Sequence, residues 1–560
     1  MDYKKYIASK LQIENVNVDD LLNFIEVPPT FDMGDYALPC FKLSKLLKKS
    51  PIMIAESLKS SFITDDVITE VSALNGYLNF KVNRLGFAKK LVNDILIDGD
   101  SYGSSNIGDG KTICIDYSSV NVAKPFHIGH LSTTVIGSSL CKIFRFLGYK
   151  VVGINHLGDY GTQFGKLIVA FKKWSSYERV IEGRLSELTR IYVKFHEEAE
   201  QNPALEDEAR HYFKLIEDSD KEANELFELF KKITLEEVDK IYKALNVEFD
   251  SYAGESFYND KMQPVIDELE EKGLLKDSEG AKVVDLDSYN MPPCLILKSD
   301  GSSLYATRDM AAAFYRKQTY DFYKCLYVVA YQQNLHFQQF FKVIELMGKS
   351  WAKDLEHVAY GMVSMEDGAM STRKGKVVLL EDVINKCVEK AYGIIEAKNP
   401  DLTNKEEVAK AVGTGAVIFG ALCNNKIKDI VFSFDKVLNF DGETCPYIQY
   451  TAARCYSVLN KVEFNGEYDI TNLDDEEYEV VSILGRFKEV IESAGEKREP
   501  SLITRFALDL ASAYNKFYFN CRIIGSDDIT KGKRLAITKC VATVLKNALT
   551  LLGIQTLERM

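Results

Sequence analysis

The sequence predicts an α/β protein built around a parallel sheet, with a small α+β domain before it and a helical bundle after it. Three observations support this prediction. Short apolar strands alternate with amphipathic helices between residues 111 and 400. Loops rich in glycine, histidine or lysine follow several of those strands, where doubly wound sheets bind their ligands. From residue 404 to residue 560 the pattern is helical throughout.

The composition is that of a soluble protein with several packed domains, since 46% of its 560 residues are hydrophobic and 27% are charged. The net charge of −13 excludes a protein coated in positive charge, although a local basic surface could still bind nucleic acid. Eleven scattered cysteines favour reduced thiols over a disulfide framework or a zinc site. We find no signal core and no membrane-spanning stretch, so we expect a cytoplasmic protein without a membrane partner.

The pattern of residues 1–105 predicts a small α+β domain at the amino terminus. Its last helix ends in three lysines, which either contact a phosphate backbone or are simply solvated. A Gly/Ser/Asn-rich stretch at 101–110 marks the boundary with the next domain. The predicted elements are helices over 3–11, 18–25 and 37–47 and a strand over 76–82.

The strongest local signal is a turn between a predicted strand at 112–117 and a predicted helix at 131–147. The turn contains His127, Gly129 and His130. The two histidines share one face of a helix, the glycine lets a ligand approach the backbone, and free N–H groups at a helix start favour an anion. This arrangement suits a phosphate that gains negative charge during a reaction. The alternative is two histidines that are satisfied at a helix terminus.

A second strand, predicted at 149–156, leads into another glycine-rich loop at 157–165. Three glycines, an aspartate and a glutamine in nine residues favour a site loop over a purely structural turn. Residues 175–280 predict an acidic helical insertion between the two halves of the sheet, and residues 252–256 interrupt its helical pattern.

The second half of the sheet is predicted to follow a β-hairpin. A turn at 299–309 enters a helix, and a cation-rich loop at 368–376 follows the last strand. That loop is either a solvated surface hairpin or part of a site. The predicted elements are hairpin strands at 283–286 and 294–297, strands at 325–330 and 356–363, and a helix at 333–347.

Taken together, these motifs resemble the class I aminoacyl-tRNA synthetases, and their flanks resemble the arginyl-tRNA synthetases of that class. The resemblance covers the whole chain. Its motifs are His-Ile-Gly-His within residues 118–130, Met-Ser-Thr-Arg-Lys-Gly at 370–375, and the segments 155–165, 305–309, 333–336, 34–37, 447–454 and 558–560.

The resemblance implies three domains. These are an amino-terminal tRNA-elbow-binding domain over residues 1–105, a Rossmann-type parallel-sheet catalytic domain over 111–400 with its helical insertion at about 175–280, and an all-α anticodon-binding bundle over 404–560. It also implies an arginine–tRNA ligase, which activates L-arginine with ATP and then transfers the arginine to the 3′ end of tRNA(Arg). The implied cofactor is ATP with Mg²⁺, without a tightly bound metal. We expect a monomer, although no sequence pattern determines the oligomeric state.

The resemblance also implies which residues handle ATP. Its second signature departs from the common Lys-Met-Ser-Lys-Ser form, because Ala369 and Thr372 stand where lysines are usual. Lys124, Arg373 and Lys374 therefore all remain candidates for neutralising the triphosphate. The implied catalytic residues are His127, His130, Lys124, Arg373 and Lys374. The implied ATP-binding residues are His127, Gly129, His130, Gly361, Met362, Val363, Met370 and Ser371.

A guanidinium group offers a planar fork of donors that carboxylates meet best. The resemblance places Glu255 and Asp309 at the arginine side chain, although each could instead cap a helix. The remaining implied arginine-binding residues are Asn121, Tyr305 and Gln333, and the implied tRNA-binding residues are Gly34, Asp35, Tyr447, Gln449 and Arg454.

Two other functions fit parts of the sequence. Another class I synthetase or a nucleotidylyltransferase would share the His-x-Gly-His turn, but the long helical carboxyl-terminal region and the two carboxylates count against it. A catalytically inactive tRNA-binding relative is the second alternative, and the intact turn counts against that.

Overall fold

The computed structural model describes residues 3–28, 33–122, 126–298, 305–365, 378–462 and 464–560. Its contacts divide the chain into two compact units. The first unit comprises Met1–Gly99, Val462–Gly485 and Lys516–Cys540, and the second comprises Asp100–Lys461, Arg486–Asn515 and Val541–Met560. None of the helices in the described ranges is both long and apolar enough to cross a bilayer.

Helices make up most of the described chain. The helices of the amino-terminal region and the sheet are α1 (Tyr3–Lys10), α2 (Val18–Phe24), α3 (Phe41–Leu47), α4 (Pro51–Ser61), α5 (Arg84–Asp98), α6 (Leu131–Phe146), α7 (Thr162–Trp174), α8 (Tyr177–Gln201), α9 (Ala204–Glu217), α10 (Lys221–Ala244), α11 (Gln263–Glu271), α12 (Tyr305–Tyr320) and α13 (Asn334–Leu346). The later helices are α14 (Leu380–Lys398), α15 (Lys405–Leu422), α16 (Phe434–Val437), α17 (Cys445–Lys461), α18 (Asp475–Leu484), α19 (Phe487–Lys497), α20 (Ser501–Asn520) and α21 (Asp528–Leu551).

Four small sheets complete the described secondary structure. Their strands are β1 (Tyr36–Pro39), β2 (Ile68–Leu74), β3 (Tyr77–Val82), β4 (Thr112–Asp116), β5 (Lys150–Ile154), β6 (Leu275–Ser278), β7 (Ala281–Val284), β8 (Cys294–Leu297), β9 (Lys324–Ala330), β10 (Leu355–Tyr360), β11 (Val363–Met365) and β12 (Ile430–Phe432).

In the first unit, an antiparallel sheet with strand order β1-β3-β2 packs against α1, α2 and α4. The predicted helix over 37–47 is wrong in its first part, because residues 36–39 form β1 and the helix α3 begins only at Phe41. The main chain of β1 pairs with β3, for example at Ala37 and Asn79. This pairing involves a strand about forty residues away, so the local apolar pattern could not reveal it.

The carboxyl-terminal part of the first unit contains a buried group of charges. Glu477 is fully buried and accepts hydrogen bonds from Lys533 Nζ at 2.6 Å and Arg534 Nε at 2.7 Å. Arg534 also pairs with Asp474, the amino-terminal cap of α18. Because an unpaired buried charge is costly, this group joins α18 firmly to α21.

The second unit is built on a fully parallel sheet with strand order β10-β9-β4-β5, as the sequence predicts. The chain passes from β4 through α6 to β5 on one side, and β9 later pairs with the other side of β4. The carboxyl ends of β4 and β9 are therefore a topological switch point, where open α/β sheets bind ligands.

The helical insertion is shorter than the sequence predicts. Its last helix, α11, ends at Glu271, and residues 275–278 form β6 in a second antiparallel sheet of order β6-β7-β8. Glu279 and Gly280 connect β6 to β7 with φ angles of 49° and 83°. Positive φ at both positions is the geometry of a tight hairpin turn. The hairpin predicted at 283–286 and 294–297 is confirmed by the pairing of β7 with β8.

The prediction of helices throughout residues 404–560 is also wrong at one point. Residues 430–432 form β12, which pairs in parallel with β11. Three residues are too few for a periodic signal, and the partner strand lies far away in the sequence.

Two glycine-to-alanine substitutions, one of them a control, test the packing of the insertion. A Cβ at Gly165 in α7 would collide with the carbonyl oxygen of Ala209 in α9, whereas a Cβ at Gly393 in α14 would meet nothing within 4 Å. We expect Gly165→Ala to lower the unfolding free energy by about 1–3 kcal/mol. We expect Gly393→Ala, the control, to raise it by about 0.5–1 kcal/mol. Urea unfolding measures both values, and equal effects would contradict this close approach of the two helices.

Candidate active site

Buried side chains hold the turn after β4 in an unusual backbone conformation. Ser118 and Ser119 have φ angles of 71° and 45°, which cost such residues about 1–3 kcal/mol each unless their surroundings enforce them. Ser119 Oγ donates to Asp116 Oδ1 at 2.9 Å, and Arg316 Nη2 donates to Asp116 Oδ2 at 2.7 Å. Asp116 is 5% exposed and Arg316 is 1% exposed, so a buried ion pair fixes the start of the turn.

The two histidines of the turn lie beside one another at the start of α6. His127 caps a short 3-10 helix, Ile128–His130, which leads directly into α6. His127 Nδ1 accepts from the Gly129 N–H at 3.1 Å, and His130 Nδ1 accepts from the His127 N–H at 3.3 Å. The ring centroids are 4.0 Å apart. The backbone therefore fixes both rings at a helix amino terminus, as a site for an anion requires.

The chain on each side of segment 366–377 lies beside this turn. The Ile128 N–H donates to Val378 O at 3.1 Å, and the Leu380 N–H donates to Phe126 O at 3.0 Å. Residue 365 ends β11, which pairs with β12. Five predicted site residues lie outside the described residues, namely Lys124, Met370, Ser371, Arg373 and Lys374.

The predicted ATP-binding residues 361–363 are held by the segment that leads into β12. The Gly361 N–H donates to Lys426 O, and the Met362 N–H donates to Asp429 Oδ1, both at 2.7 Å. A Cβ at Gly361 would collide with the carbonyl of Lys428, so this position requires glycine. Val363 is the first residue of β11.

The loop after β5 packs directly against the turn after β4. The Gly158 N–H donates to Val120 O at 3.0 Å, and the Val122 N–H donates to Gly158 O at 3.1 Å. A Cβ at Gly158 would collide with Asn121 Oδ1. The glycine therefore lets Asn121 lie between the two loops, at the switch point.

The loop after β5 also positions Glu255. Asp159 is fully buried and accepts from the Ser256 N–H at 2.9 Å, from Ser256 Oγ at 2.7 Å and from Lys231 at 2.7 Å. A Cβ at Gly254 would lie 2.6 Å from Asp159 Oδ1, so glycine is needed at that position too. These contacts fix the residues on both sides of Glu255.

Glu255 lies beside the guanidinium group of a buried arginine. Arg308 Nη1 is 3.6 Å from Glu255 Oε2, and the Arg308 side chain is 6% exposed. The guanidinium carbon of Arg308 lies 4.4 Å from the centre of the Tyr160 ring, and the Tyr160 hydroxyl donates to Glu217. Sequence reasoning missed the role of Arg308, although the residue stands in a motif that drew attention to its neighbours.

Asp309 forms the second acidic position of the site. His336 Nε2 on α13 lies 2.6 Å from Asp309 Oδ2, and His156 Nε2 lies 3.9 Å from Asp309 Oδ1. Burial raises the pKa of Asp309, but the hydrogen bond and charge of His336, with smaller effects of His156 and Arg316, lower that pKa below its ordinary value overall. Asp309 is therefore a carboxylate at neutral pH, and 27% of its side chain remains exposed.

The structure thus brings an imidazole pair and two carboxylates to the same edge of the sheet. Tyr305 begins α12 and is 68% exposed, and Gln333 is exposed beyond the end of β9. The imidazoles at the helix start suit an anionic ligand, and the carboxylates suit a cationic one. Across the described residues, no three His, Cys, Asp or Glu side chains come together as a metal ion would need.

The residues predicted to contact RNA differ in how accessible they are. Asp35 is 6% exposed and accepts from the Val82 N–H and Arg84. Gln449 is fully buried and donates to two backbone carbonyls. Both side chains are thus already engaged within the protein. Gly34 adopts a φ of 97° in the same loop as Asp35.

A more accessible group lies on α17. Tyr447 and Arg454 are partly exposed, and the Arg454 guanidinium lies 5.0 Å from the ring centre of Tyr450. Tyr450 is 45% exposed. Tyr450 lies within the motif at 447–454 but is not among the predicted tRNA-binding residues, because only the fold shows which tyrosine of a helix faces outward.

Three family descriptions match the chain and together cover nearly all of it. They are "tRNA synthetases class I (R), catalytic domain" at residues 91–434, "DALR anticodon binding domain" at 448–560, and "Arginyl tRNA synthetase N terminal domain" at 1–82.

Proteins with assigned activities match along the full length. Arginine–tRNA ligases of Clostridium botulinum (strain Alaska E43 / Type E3) and Clostridioides difficile (strain 630) are each 53% identical to this chain, over 100% of both chains in each case. Among solved structures, the arginyl-tRNA synthetase of Thermus thermophilus is 25% identical with a TM-score of 0.82, and 96% of each chain is covered.

The lowered pKa of Asp309 leads to a prediction about stability. We expect His336→Ala to raise the pKa of Asp309, because the variant loses the hydrogen bond and the charge that offset the effect of burial. In the wild type, a folded pKa below the unfolded value of about 3.9 contributes stability that is complete above that pH and is lost as the pH falls through the folded pKa. In the variant, the higher folded pKa lies closer to the unfolded value, so the loss of stability between pH 7 and 3.5 should be smaller than in the wild type.

Urea unfolding of both proteins between pH 3.5 and 7 measures the difference. His211→Ala removes an exposed histidine of the insertion and is the control. Parallel stability curves for the wild type and His336→Ala would contradict the coupling between Asp309 and His336.

Proposed function

This chain belongs to the arginyl-tRNA synthetases of class I, and on that premise we propose how its side chains divide the work of the reaction. The enzyme is an arginine–tRNA ligase. It activates L-arginine with ATP, which gives arginyl-adenylate and pyrophosphate, and then transfers arginine to the 3′ end of tRNA(Arg). The observation that carries this function is the identity of 53% with arginine–tRNA ligases along the full chain.

We assign the arginine side chain to the acidic part of the site. Glu255 and Asp309 would share its guanidinium, whose planar donors match two carboxylates. The lowered pKa of Asp309 supports this role, since it keeps the carboxylate charged at neutral pH. Asn121, between the two loops, would hold the amino-acid end, and Tyr305 and Gln333 would add neutral acceptors.

We assign ATP to the turn after β4 and its surroundings. His127, His130 and the backbone at Gly129 would stabilise the negative charge that grows on the α-phosphate when the arginine carboxylate attacks it. Positioning of the two substrates supplies the rest of the acceleration. The remaining ATP residues in this proposal are Gly361, Met362, Val363, Met370 and Ser371, and the candidate cations for the triphosphate are Lys124, Arg373 and Lys374.

Magnesium is proposed to arrive with ATP. It prefers phosphate and water oxygens and few protein carboxylates. The carboxylates described above already have protein partners, namely Arg308 for Glu255, His336 for Asp309 and Lys231 for Asp159. The residues present therefore fit a metal held by the nucleotide rather than one resident in the protein.

The remaining proposals concern tRNA and the assembly. Tyr447, Arg454 and the exposed Tyr450 would contact the anticodon loop by stacking and charge, and Gln449 would support their helix from within. The loop of Gly34 and Asp35, in a domain proposed to span residues 1–105, would face the tRNA elbow. The catalytic domain is proposed to span 111–400 and the anticodon-binding domain 404–560. We propose a cytoplasmic monomer, and its eleven cysteines, which are free thiols, are consistent with a reducing compartment.

One assay tests the function as a whole. Purified protein is incubated with ATP, tRNA and each of the twenty labelled amino acids, and charged tRNA is counted. Arginine alone should be attached. Attachment of another amino acid would overturn the assignment, as would the absence of both charging and arginine-dependent ATP–pyrophosphate exchange.

The two carboxylates are tested separately from ATP binding. We expect Glu255→Gln and Asp309→Asn to raise the KM for arginine by at least about 30-fold, since losing a charged hydrogen-bond partner in a pocket costs on the order of 2–4 kcal/mol. The KM for ATP should change little. Glu345→Gln, at an exposed position on α13, is the control. Unchanged arginine kinetics in both variants would remove the two residues from the pocket.

The histidine pair leads to a different kinetic effect. We expect His127→Ala and His130→Ala to lower kcat for adenylate formation by about 10²-fold with smaller changes in KM, because their interactions strengthen as charge develops. His196→Ala, an exposed histidine on α8, provides the comparison. A loss confined to the KM for ATP would show that the pair only binds the ground state.

A further inference from the structure

Helix α10 of the insertion reaches the candidate active site at two positions, Lys231 and Tyr242. The helix runs without a break from Lys221 to Ala244. Its two positions are eleven residues apart, which is close to three full turns. Both side chains therefore lie on the same face of the helix, separated by about 16 Å along its axis.

Tyr242 contacts both ends of the turn after β4. It is 2% exposed, and its hydroxyl lies 2.8 Å from Ser118 Oγ. Its ring packs edge-on against Phe126, which in turn stacks on His130 with centroids 5.1 Å apart. Tyr242 thus supports Ser118, which has a positive φ, at the start of the turn. It also supports the Phe126 ring, which stacks on His130.

Lys231 contacts the other side of the site. Its ammonium group lies 2.7 Å from the fully buried carboxylate of Asp159. The same carboxylate holds Ser256 through two hydrogen bonds, and Ser256 directly follows Glu255. Without Lys231, Asp159 would be a buried charge with neutral donors only, which is unfavourable.

We propose that helix α10 is a rigid spacer which sets the distance between the ATP side and the arginine side of the active site. Tyr242 is a positioning residue for the turn of His127, and Lys231 is a positioning residue for Glu255. Neither needs to touch a substrate. The proposal rests on the residue roles proposed above. It adds that a helix of the insertion keeps the ATP-side residues and the arginine-side residues at a fixed distance from each other.

The two contacts predict different kinetic changes in arginine-dependent ATP–pyrophosphate exchange with tRNA(Arg) present. Tyr242→Phe removes only the hydroxyl, so the ring packing is kept. We expect kcat to fall by about tenfold or more while the KM for arginine changes by less than about threefold.

The corresponding change on the arginine side is Lys231→Met. We expect the KM for arginine to rise by about tenfold or more, with the KM for ATP within about twofold of wild type. Lys231→Arg should recover most of the affinity, because it restores the charge beside Asp159. Ser256→Ala removes the hydroxyl hydrogen bond to Asp159 and so weakens the same connection from the other end, which tests the proposal even if Lys231→Met does not fold.

Matched variants on the insertion separate positioning from general stability. Lys232→Met changes an exposed lysine next to Lys231, and Tyr192→Phe removes a hydroxyl from α8. Both should keep wild-type kinetics. Active-site titration normalises every rate to the folded fraction.

The outcome also separates this inference from the proposed function. Suppose that Glu255→Gln raises the KM for arginine while Tyr242→Phe and Lys231→Met match their controls. The proposed arginine-binding site is then supported, and the proposal that α10 acts as a spacer is overturned. If both variants change kcat and KM in parallel, the spacer is overturned as well. If Glu255→Gln has no effect on arginine, the proposed site itself fails.

Discussion

The buried ion pair of Asp116 and Arg316 is the interaction on which the rest of the active site depends. It joins the end of the central strand β4 to helix α12, and neither charge could stay buried alone. From Asp116 the chain enters the turn that leads to the histidines. From Arg316 the helix runs back to Arg308 and Asp309. One contact therefore connects the histidine side of the candidate site to its acidic side.

The site as a whole separates charges of opposite sign at one sheet edge. A helix amino terminus and two imidazoles lie in the turn after β4, while the carboxylates lie on α12 and on the segment after α10. In the proposed function, these groups would hold a cationic amino acid and an anionic nucleotide next to each other, each by groups of the opposite sign. Such preorganised charge is effective because it needs no reorganisation when charge develops during the reaction.

The sequence was informative wherever a local pattern decides the structure. The parallel sheet, the hairpin of β7 and β8 and the turn at His127 follow from strand periodicity and from residues a few positions apart. The errors at residues 36–39 and 430–432 have one cause, because each segment pairs with a strand that is distant in the sequence. The pairs of Glu255 with Arg308 and of Asp159 with Lys231 were missed for the same reason, since they are formed by distant parts of the chain. Residues 275–278 pair instead with the nearby β7, but they contain only one apolar residue, so they show no strand periodicity.

The geometry of helix α10 also restricts how this protein can change during evolution. Adding or deleting one residue between Lys231 and Tyr242 would rotate one of them by about 100° relative to the other and move it by about 1.5 Å. Both could then no longer face the sheet. The turns that flank α9, at residues 202–203 and 218–220, carry no such restriction. Gaps between related sequences should therefore collect in those turns and be absent from the eleven-residue interval.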